Sequence, residues 1–590
     1  MLAHYKMKVG FGVQEMLSRI TLVRDFLSKA CVDAVILRHG DEYFSEEVSP
    51  HHQVFNWLTG LDVSYGYIVI TKDVAVLFVD GRYILAAQET LERDVWTIIN
   101  VKQASPVRWI KDNISGALAL DPKFHTINET ENLVKAGVKT VFFEDLINSF
   151  WKDRRGVKGS KLFKHPIKYA GESSLSKLSR ISDHLTKQNV DAILVSDPCD
   201  VAWTVNMRGN GLKYTPVAPA RMIAFKDGNY KIYTDSVPDE PSDKVRPYAQ
   251  ILPDITAFKG KILLDPNNTP YAIKAKIKAE AIYDRCMIQN FKSIKNKTEL
   301  DGASKAQILD GVAVASLLSW LHKKIGTDKG VFEGDVSEKI THLRAKSDLY
   351  LCESFSCIAA FGKNAANVHY RVKGQGERLS NSGLFLLDTG GQYWCGTTDV
   401  TRTMCFGQPT LEEQEVYTRV LKGHIALSSA VFPIGTTGYQ LDCLARQYLW
   451  QAGLDYDHGT GHGIGSCLSV HEGPGNFSKK SSSDYALCED TLITIEPGCY
   501  LKDRLGIRIE NVNKVVKLAT EIEKEGRLTF ATLTPVLMDF KLIMPFLLTE
   551  QEKIWLKNYH EWVLKIIAPC LDEDDKYWLV EQTSPYFNVL

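Results

Sequence analysis

The first regular pattern along the chain is helical. Apolar residues recur every three to four positions over residues 17–29, and a mostly apolar run follows at once over residues 32–37. This order predicts an amphipathic helix that leads into a buried strand. The same order returns further along, and each copy then reaches a tryptophan, which predicts two related α/β domains in tandem. The matching segments are 18–20 with 179–181, 32–37 with 190–195, and Trp57 with Trp203.

A third domain is predicted after the polar segment 292–299. A long amphipathic helix follows this segment, and Thr298 is its predicted N-cap. Two later helices begin at capping boxes, one at Thr410 and one at Thr549. We therefore expect an α/β and α+β multidomain protein. Its predicted domains are two α/β domains at 1–165 and 166–291, and a third domain with a C-terminal helical extension at 292–590.

The overall composition narrows the classes of function. Seventy basic residues against seventy-one acidic ones give a formal net charge of −1. This balance gives no electrostatic reason to expect a nucleic acid or an anionic membrane as partner. We see neither a secretory apolar segment near the start nor an apolar run long enough to span a bilayer. Twelve cysteines occur without a C-x-x-C pair, which is typical of reduced thiols. The prediction is a cytoplasmic protein.

Five potential metal ligands stand in apolar or glycine-rich sequence between residues 388 and 510. A lone charge in such surroundings is costly unless something balances it. Each pair of carboxylates is predicted to lie on two strands of one hairpin, so that both side chains face the same point. The histidine is flanked by four glycines within seven residues, which predicts a loop and not a helix. The five residues are Asp388, Asp399, His462, Glu496 and Glu510.

Four converging carboxylates would repel one another unless cations were present. Two divalent ions cancel the four negative charges. Oxygen and imidazole ligands without thiolate favour manganese, with cobalt, iron or catalytic zinc as alternatives. Two metals about 3.5 to 4 Å apart hold a bridging hydroxide that can attack a carbonyl. The pattern thus predicts a two-metal hydrolase, and the alternative is a set of unrelated exposed charges.

Two other residues have two interpretations each. Arg402, three residues after Asp399, either supports the metal ligands or is an exposed strand residue, and we favour the first. His369, beside Tyr370, is on its own either a core histidine or part of a site.

The motifs around these residues resemble those of the aminopeptidase P family (Xaa-Pro aminopeptidases). This family belongs to the pita-bread metallopeptidases, which also include prolidase, methionine aminopeptidase and creatinase. Two N-terminal segments, DGRYILAAQ and WTVNMRG, resemble the long, three-domain, cytosolic eukaryotic-type members. The resemblance implies two creatinase-like N-terminal domains, a pita-bread catalytic domain and a homodimer. The C-terminal motifs that carry it are NAANVHY, LLDTGGQYWCGTTDVTRTMCFG, GLDYDHGTGHGIGSCLSVHEGPG, EPGCY and GIRIEN.

The resemblance also implies a role for each matching residue. The five ligands would bind two manganese ions, with Asp399 and Glu510 bridging them. His369 and His471 would hold the substrate and stabilise the tetrahedral intermediate, and His458 would contribute to the pocket for proline. Glu496 would also handle the proton of the attacking water. Arg508 would support the metal ligands.

The implied activity is removal of the N-terminal residue from peptides with proline at the second position. An X-Pro bond is a tertiary amide with a fixed φ, which favours a dedicated site. One alternative is prolidase, which cleaves only dipeptides at the same kind of centre. The other is a non-catalytic binding module of the same fold that has lost its metals.

Overall fold

The computed structural model describes residues 12–157, 159–325, 327, 330–480, 484–518 and 526–589. The N-terminal segment in which we looked for a secretory signal lies largely outside these residues. The chain divides into two compact units. No helix among the described residues is both long and apolar enough to cross a membrane. The first unit is Met1–Phe163, Leu175–Lys213 and Val217–Cys286, and the second is Lys164–Ser174, Tyr214–Pro216 and Met287–Leu590.

The first unit contains two six-stranded sheets of the same topology. In each sheet the first strand pairs antiparallel with the second on one side and parallel with a later strand on the other. The strand order is Trp96–Asn100, Ala75–Val79, Tyr67–Thr71, Ala34–Arg38, Ala117–Leu120, Lys139–Phe142 in one sheet. In the other it is Val245–Arg246, Tyr230–Tyr233, Arg221–Phe225, Ala192–Val195, Lys261–Leu264, Glu280–Tyr283.

The predicted repeat is confirmed element by element in these two sheets. A helix precedes the first strand of each, Val13–Ala30 in one copy and Ser174–Lys187 in the other. Trp57 and Trp203 both lie buried on the short helix after that strand. The remaining helices of this unit are Val54–Thr59, Gly81–Thr90, Pro106–Asn113, Ile127–Lys135, Leu146–Phe150, Pro198–Thr204, Ile251–Ala257 and Tyr271–Lys274, and a small sheet joins Val237–Pro238, Lys161–Lys164 and Met207–Gly209.

The second unit is built on two antiparallel sheets. One has the strand order Ile358–Phe361, Leu384–Thr389, Val400–Cys405. The other has the order Phe432–Pro433, Arg527–Thr532, Asn511–Leu518, Leu492–Ile495, Gly461–Gly463, Glu472–Phe477. Smaller ladders pair Val331–Phe332 with Arg378–Leu379, Tyr350–Glu353 with Gly391–Tyr393 and Gly396–Thr397, and Gly498–Leu501 with Leu505–Arg508.

Helices cover these sheets and supply much of the apolar core. The long helix Lys297–Lys324 and the helix Leu411–Ser428 bury leucine, valine and alanine side chains in one cluster with the helix Glu550–Ile567. The other helices of this unit are Ile167–Ala170, Met287–Ser293, Glu333–Arg344, Gly438–Trp450, Glu573–Thr583 and Pro585–Asn588.

One predicted helix cap is wrong. Asn296, not Thr298, caps the long helix, and its side chain accepts from the backbone N–H of Glu299 at 3.0 Å. The Glu299 carboxylate in turn accepts from the Asn296 N–H at 3.0 Å, which completes a capping box. The reciprocal bond favours the asparagine because Glu299 stands three residues after it. The predicted boxes at Thr410 and Thr549 are both present.

Candidate metal centre

Two strands position the first two carboxylates. Asp388 lies on the strand Leu384–Thr389 and faces Thr401 on the antiparallel strand Val400–Cys405, which Asp399 directly precedes. The predicted single hairpin is wrong in one respect, because a smaller hairpin interrupts it between the two strands. Gly390 allows this close return, since a Cβ there would lie 2.0 Å from the carbonyl oxygen of Thr398.

The two glutamates lie at facing ends of another strand pair. Glu496 follows the strand Leu492–Ile495 and Glu510 precedes its antiparallel partner Asn511–Leu518, with Ile495 opposite Asn511. The predicted turn at residues 502–504 is confirmed by the hairpin between the two glutamates. The backbone N–H of Glu510 donates to the carbonyl of Thr401 at 3.1 Å, which ties this strand pair to the strand that follows Asp399.

The glycine-rich surroundings of His462 predicted a loop, and this prediction is wrong. His462 is the central residue of the short strand Gly461–Gly463, which lies between two longer strands of the six-stranded sheet. A Cβ on Gly461 would lie 1.9 Å from the carbonyl oxygen of Thr494. The glycines therefore permit close packing within a sheet, an arrangement that composition alone does not distinguish from a loop.

These strands bring the candidate ligands together. One ligand atom each of Asp399, His462 and Glu510 lie within 4.8 Å of one another. The Nε2 atom of His462 is 3.6 Å from the nearest carboxylate oxygen of Asp399 and 3.6 Å from that of Glu496. Its Nδ1 atom lies 2.9 Å from the carbonyl oxygen of Gly463. We assign the ring proton to Nδ1, which leaves the Nε2 lone pair directed at the carboxylates.

The electrostatics of the cluster fit a cation site. Burial, followed by the charges of Glu510 and Asp388, raises the pKa of Asp399 well above its usual range. Burial and the charge of Asp388 raise the pKa of Glu510 to about 7. Asp388, Asp399 and Glu510 each also have one buried oxygen without a hydrogen-bond donor among the described residues. Hard oxygen donors that are buried, crowded and unsatisfied are suited to divalent ions.

Arg508 connects Asp388, the fifth candidate ligand, to this cluster. It is buried, and its guanidinium donates to the Asp388 carboxylate and, at 3.1 Å, to the hydroxyl of Thr401. That hydroxyl donates to the Glu510 carboxylate at 2.7 Å. Thr401 was not predicted as a site residue, although it lies within the motif LLDTGGQYWCGTTDVTRTMCFG. Only the strand register shows that its hydroxyl contacts Arg508 and Glu510.

A tyrosine links Arg508 to one of the candidate site histidines. The guanidinium donates to the Tyr500 hydroxyl at 2.6 Å, and this hydroxyl lies 2.8 Å from Nε2 of His458. The Nδ1 atom of His458 is 2.6 Å from the Gly459 carbonyl, so Nδ1 donates and Nε2 accepts. Tyr500 was also missed as a site residue, and its place in the EPGCY motif was the available signal.

Arg402 lies beneath the cluster and does not touch its carboxylates. The side chain is buried, and it donates to the backbone carbonyls of Thr401 at 2.8 Å and Glu510 at 2.6 Å. It also donates to the Asn511 side chain, and its other bonds reach the C-terminal region, at the carbonyls of Val536 and Leu537 and the Tyr559 hydroxyl. The exposed-strand alternative for Arg402 is therefore wrong.

The other two candidate histidines, His471 and His369, lie in different surroundings. The ring of His471 packs edge-on against that of His462, with centroids 4.4 Å apart and planes at 90°. His369 lies on the irregular segment after the strand Ile358–Phe361. Its neighbour Tyr370 packs on the same small apolar cluster as Tyr500.

Family profiles cover most of the chain. The profile of metallopeptidase family M24 matches residues 301–516, and that of the C-terminal region of the same peptidases matches residues 526–586. Profiles of the creatinase/prolidase N-terminal domain match residues 19–150 and again residues 153–299. These matches fit the two six-stranded sheets of the first unit and the sheets that carry the candidate metal centre.

Relatives of known type are similar over nearly the full length. A probable Xaa-Pro aminopeptidase P of Sordaria macrospora is 34% identical, over 96% of this chain and 99% of its own. Aminopeptidase P2 of Arabidopsis thaliana is 33% identical, over 94% of this chain and 86% of its own. The crystal structure of X-prolyl aminopeptidase from Caenorhabditis elegans, described as a cytosolic enzyme with a di-nuclear active site, is 30% identical. It superposes with a TM-score of 0.92 over 97% of this chain and 99% of its own. This chain belongs to metallopeptidase family M24 and, within it, to the Xaa-Pro aminopeptidase P group.

Proposed function

We propose that this protein removes the N-terminal residue from peptides with proline at the second position, in a metal-dependent hydrolysis. The main observation that supports this proposal is that one ligand atom each of Asp399, His462 and Glu510 lie within 4.8 Å of one another. This convergence occurs in a chain that is similar over nearly its full length to Xaa-Pro aminopeptidases.

Two divalent ions would be held by Asp388, Asp399, His462, Glu496 and Glu510. When bound, such ions polarise a carbonyl and lower the pKa of water. We propose Mn²⁺ because the donors are carboxylates and one imidazole without a thiolate. Arg508 and Arg402 would hold the ligands in place, the first through the Asp388 carboxylate and the second through the Glu510 carbonyl.

Glu496 is the proposed proton carrier. Its side chain keeps 18% of its surface exposed, whereas that of Asp399 keeps 5%, so Glu496 can meet water and substrate. It would take a proton from the attacking water as the water oxygen bonds to the scissile carbonyl carbon. It would then give that proton to the proline nitrogen as the C–N bond breaks.

The three histidines would bind and orient the substrate. His369 and His471 would donate to the carbonyl oxygen as negative charge develops on it. His458, held by Tyr500 and by the Gly459 carbonyl, would line the pocket for proline. Because proline has no N–H and a fixed φ, shape must supply most of the recognition in that pocket.

A peptide assay tests the proposal and separates it from both alternatives. Purified protein treated with a chelator should gain turnover of an Xaa-Pro-Yaa tripeptide when Mn²⁺ is added. Exclusive cleavage of Xaa-Pro dipeptides would make the protein a prolidase. An absence of both bound metal and hydrolysis after Mn²⁺ loading would make it a binding module.

Location, assembly and domain division complete the proposal. A cytoplasmic protein is supported by the description of the Caenorhabditis elegans enzyme as cytosolic. A homodimer is proposed on family resemblance and is tested by light scattering of the purified protein. The division into 1–165, 166–291 and 292–590 is supported by the two six-stranded sheets that precede residue 287.

A further inference from the structure

Beyond the five candidate ligands, one buried carboxylate of the second unit has four hydrogen-bond donors around it. Glu333 is the first residue of the helix Glu333–Arg344 and is fully buried. One of its oxygens accepts from the backbone N–H of Phe361 at 2.8 Å and from the amide of Asn364 at 3.0 Å. The other accepts from the Tyr370 hydroxyl at 2.8 Å and from the backbone N–H of Glu377 at 2.8 Å.

These four donors belong to one segment of the chain. Phe361 and Glu377 are its two ends, and Asn364 and Tyr370 lie between them. The backbone at Glu333 adds a fifth tie, because its own N–H donates to the carbonyl of Glu377 at 3.0 Å. We call residues 361–377 the clasped segment. Its interior is irregular apart from the short 3₁₀ turn Gly362–Ala366.

The carboxylate is compensated by neutral donors alone among the described residues. It also lies at the N-terminus of its helix, where the helix dipole favours a negative charge. A buried carboxylate with all four acceptor positions filled resists any movement that would leave one of them empty. The clasped segment is therefore fixed at both ends and at two points inside by a single side chain.

The clasped segment carries His369 near its middle and packs on the strand that carries Arg508. A Cβ added to Gly506 would lie 1.7 Å from the carbonyl oxygen of Ala365, so the 3₁₀ turn packs directly on the strand Leu505–Arg508. Tyr370 donates to Glu333 and also shares an apolar cluster with Tyr500. The position of His369 therefore depends on where Glu333 holds its neighbour.

We propose that Glu333 is a positioning residue for the peptidase reaction. It holds the clasped segment in place and so presents His369 to the substrate carbonyl. This inference rests on the proposed function for its catalytic part. Glu333 itself touches neither substrate nor metal. Its contribution is to fix in advance a loop that would otherwise lose conformational entropy on binding substrate.

The test compares Glu333→Gln with variants of the residues that it holds. Glutamine keeps the size of the side chain and places an amide NH₂ where two donors point. We expect kcat/KM on an Xaa-Pro-Yaa peptide to fall at least about tenfold, a loss of about 1.4 kcal/mol in transition-state stabilisation. Tyr370→Phe, which removes one donor and leaves the carboxylate, should give a smaller loss in the same direction.

A double variant distinguishes positioning from a general loss of structure. If Glu333 acts through His369, Glu333→Gln should cost little further activity in a His369→Ala background. Full additivity of the two losses would overturn the proposal. Asp539→Asn is the matched control, because Asp539 is a buried carboxylate of the same unit that accepts from the N–H groups of Cys405 at 2.7 Å and Lys541 at 3.0 Å. It should lose thermal stability and keep kcat/KM within about twofold, since most effects away from the site act on folding.

Hydrogen exchange provides a readout that needs no activity. In Glu333→Gln, exchange should rise in peptides that cover residues 361–377 and stay unchanged in peptides from the helix Leu411–Ser428. Unchanged exchange in the clasped segment would contradict the proposal, and if this variant does not fold, Tyr370→Phe takes its place in both arms. If the unmodified protein cleaves no Xaa-Pro peptide, the proposed function fails, and exchange alone decides whether Glu333 holds the segment.

Discussion

Glu496 has the most exposed side chain of the four carboxylates of the candidate metal centre. Asp399 and Glu510 are almost completely buried, while Glu496 lies at the edge of the site with its backbone N–H bonded to the Thr460 carbonyl at 2.7 Å. A carboxylate that only holds a cation gains from burial, whereas one that exchanges protons with water needs access to it. The exposure of this side chain is therefore part of its proposed chemistry.

We predict that Glu496→Ala lowers kcat by about a hundredfold or more, since general acid–base catalysis contributes about 10² to 10⁴ in rate. The fold should remain, because the side chain is at the edge of the site. The circular dichroism spectrum should match that of the parent protein. Glu489→Ala, an exposed glutamate seven residues earlier, is the control and should keep full activity. Turnover near the parent level in Glu496→Ala would contradict the proton-carrier role.

Among the secondary-structure elements, the helix Glu550–Ile567 contains a buried histidine. Its residue His560 lies stacked on Tyr586, with ring centroids 3.5 Å apart. Nε2 of His560 accepts from the N–H of Met538 at 3.2 Å, and Nδ1 lies 2.8 Å from the Leu556 carbonyl. Both ring nitrogens are occupied in the neutral form, so a proton could be added only by breaking a bond. Burial lowers the pKa of His560 to about 3.

The expected pH dependence follows from that lowered pKa. Below the usual histidine value of about 6.5, the unfolded chain takes up a proton that the folded chain does not, so stability falls as the pH falls towards 3. Between pH 7 and pH 5 the loss from this residue is about 2 kcal/mol. His560→Gln should therefore lose less unfolding free energy over that interval in urea titrations. His322→Gln, at an exposed histidine, should show the parent dependence.

The segment before the long helix contains a buried ion cluster. Lys295 donates to the Glu472 carboxylate, and the ammonium of Lys292 lies 3.6 Å from the other oxygen of that carboxylate. All three side chains are buried, and Glu472 directly follows His471. The cluster therefore links the segment before the helix Lys297–Lys324 to the strand Glu472–Phe477, which directly follows His471.

We predict that Lys295→Met destabilises the protein by about 2 to 4 kcal/mol, because removing one partner of a buried ion pair leaves the other poorly compensated. Lys292 remains near Glu472, which keeps the loss at the lower end of the range for such pairs. Lys297→Met, two residues on, changes an exposed pair with Asp301 and should have little effect. Chemical denaturation of the three proteins measures the difference. A loss no larger than that of Lys297→Met would show that the cluster contributes no stability.

The elements that the sequence predicted are those encoded by local patterns. Capping boxes and helical periods lie within a few residues, and the tandem repeat of the first unit was visible because each copy preserves its own helix and strand. The five candidate ligands stood out because charge is rare in apolar strands. The bonds of Thr401 and Glu333 could not be predicted, since they join residues 109 and 44 positions apart in the chain. Only the register of distant strands brings such groups together.

On the scale of the whole molecule, metal binding and folding are linked. Without ions the buried carboxylates of the second unit repel one another, and part of that repulsion is relieved by protons. Because the pKa of Glu510 is raised to about 7, the folded metal-free protein holds a proton between pH 4.5 and 7 that the unfolded chain releases. Its stability therefore falls as the pH rises through this interval. Divalent ions compete with the same protons.

We predict that the rise in melting temperature on adding Mn²⁺ is larger at pH 8 than at pH 5.5. At the lower pH the ions must displace protons from the carboxylates, and at the higher pH they relieve a repulsion that nothing else compensates. Differential scanning calorimetry of chelator-treated protein with and without Mn²⁺ measures both shifts. Asp399→Asn should weaken the Mn²⁺ effect at both values, and an equal shift at both pH values in the parent protein would contradict the coupling.

The bonds of Arg402 have a consequence for the length of chain that a working enzyme needs. Its guanidinium donates to six acceptors. Three of them, the carbonyls of Thr401 and Glu510 and the Asn511 side chain, precede residue 536. The other three are the carbonyls of Val536 and Leu537 and the Tyr559 hydroxyl. A chain that stopped before residue 536 would keep all five candidate ligands and leave this buried cation with half of its acceptors missing. The C-terminal segment is therefore not a removable appendage, and a shortened transcript that ended there would encode a protein with the motifs of the enzyme and a disrupted support for its metals.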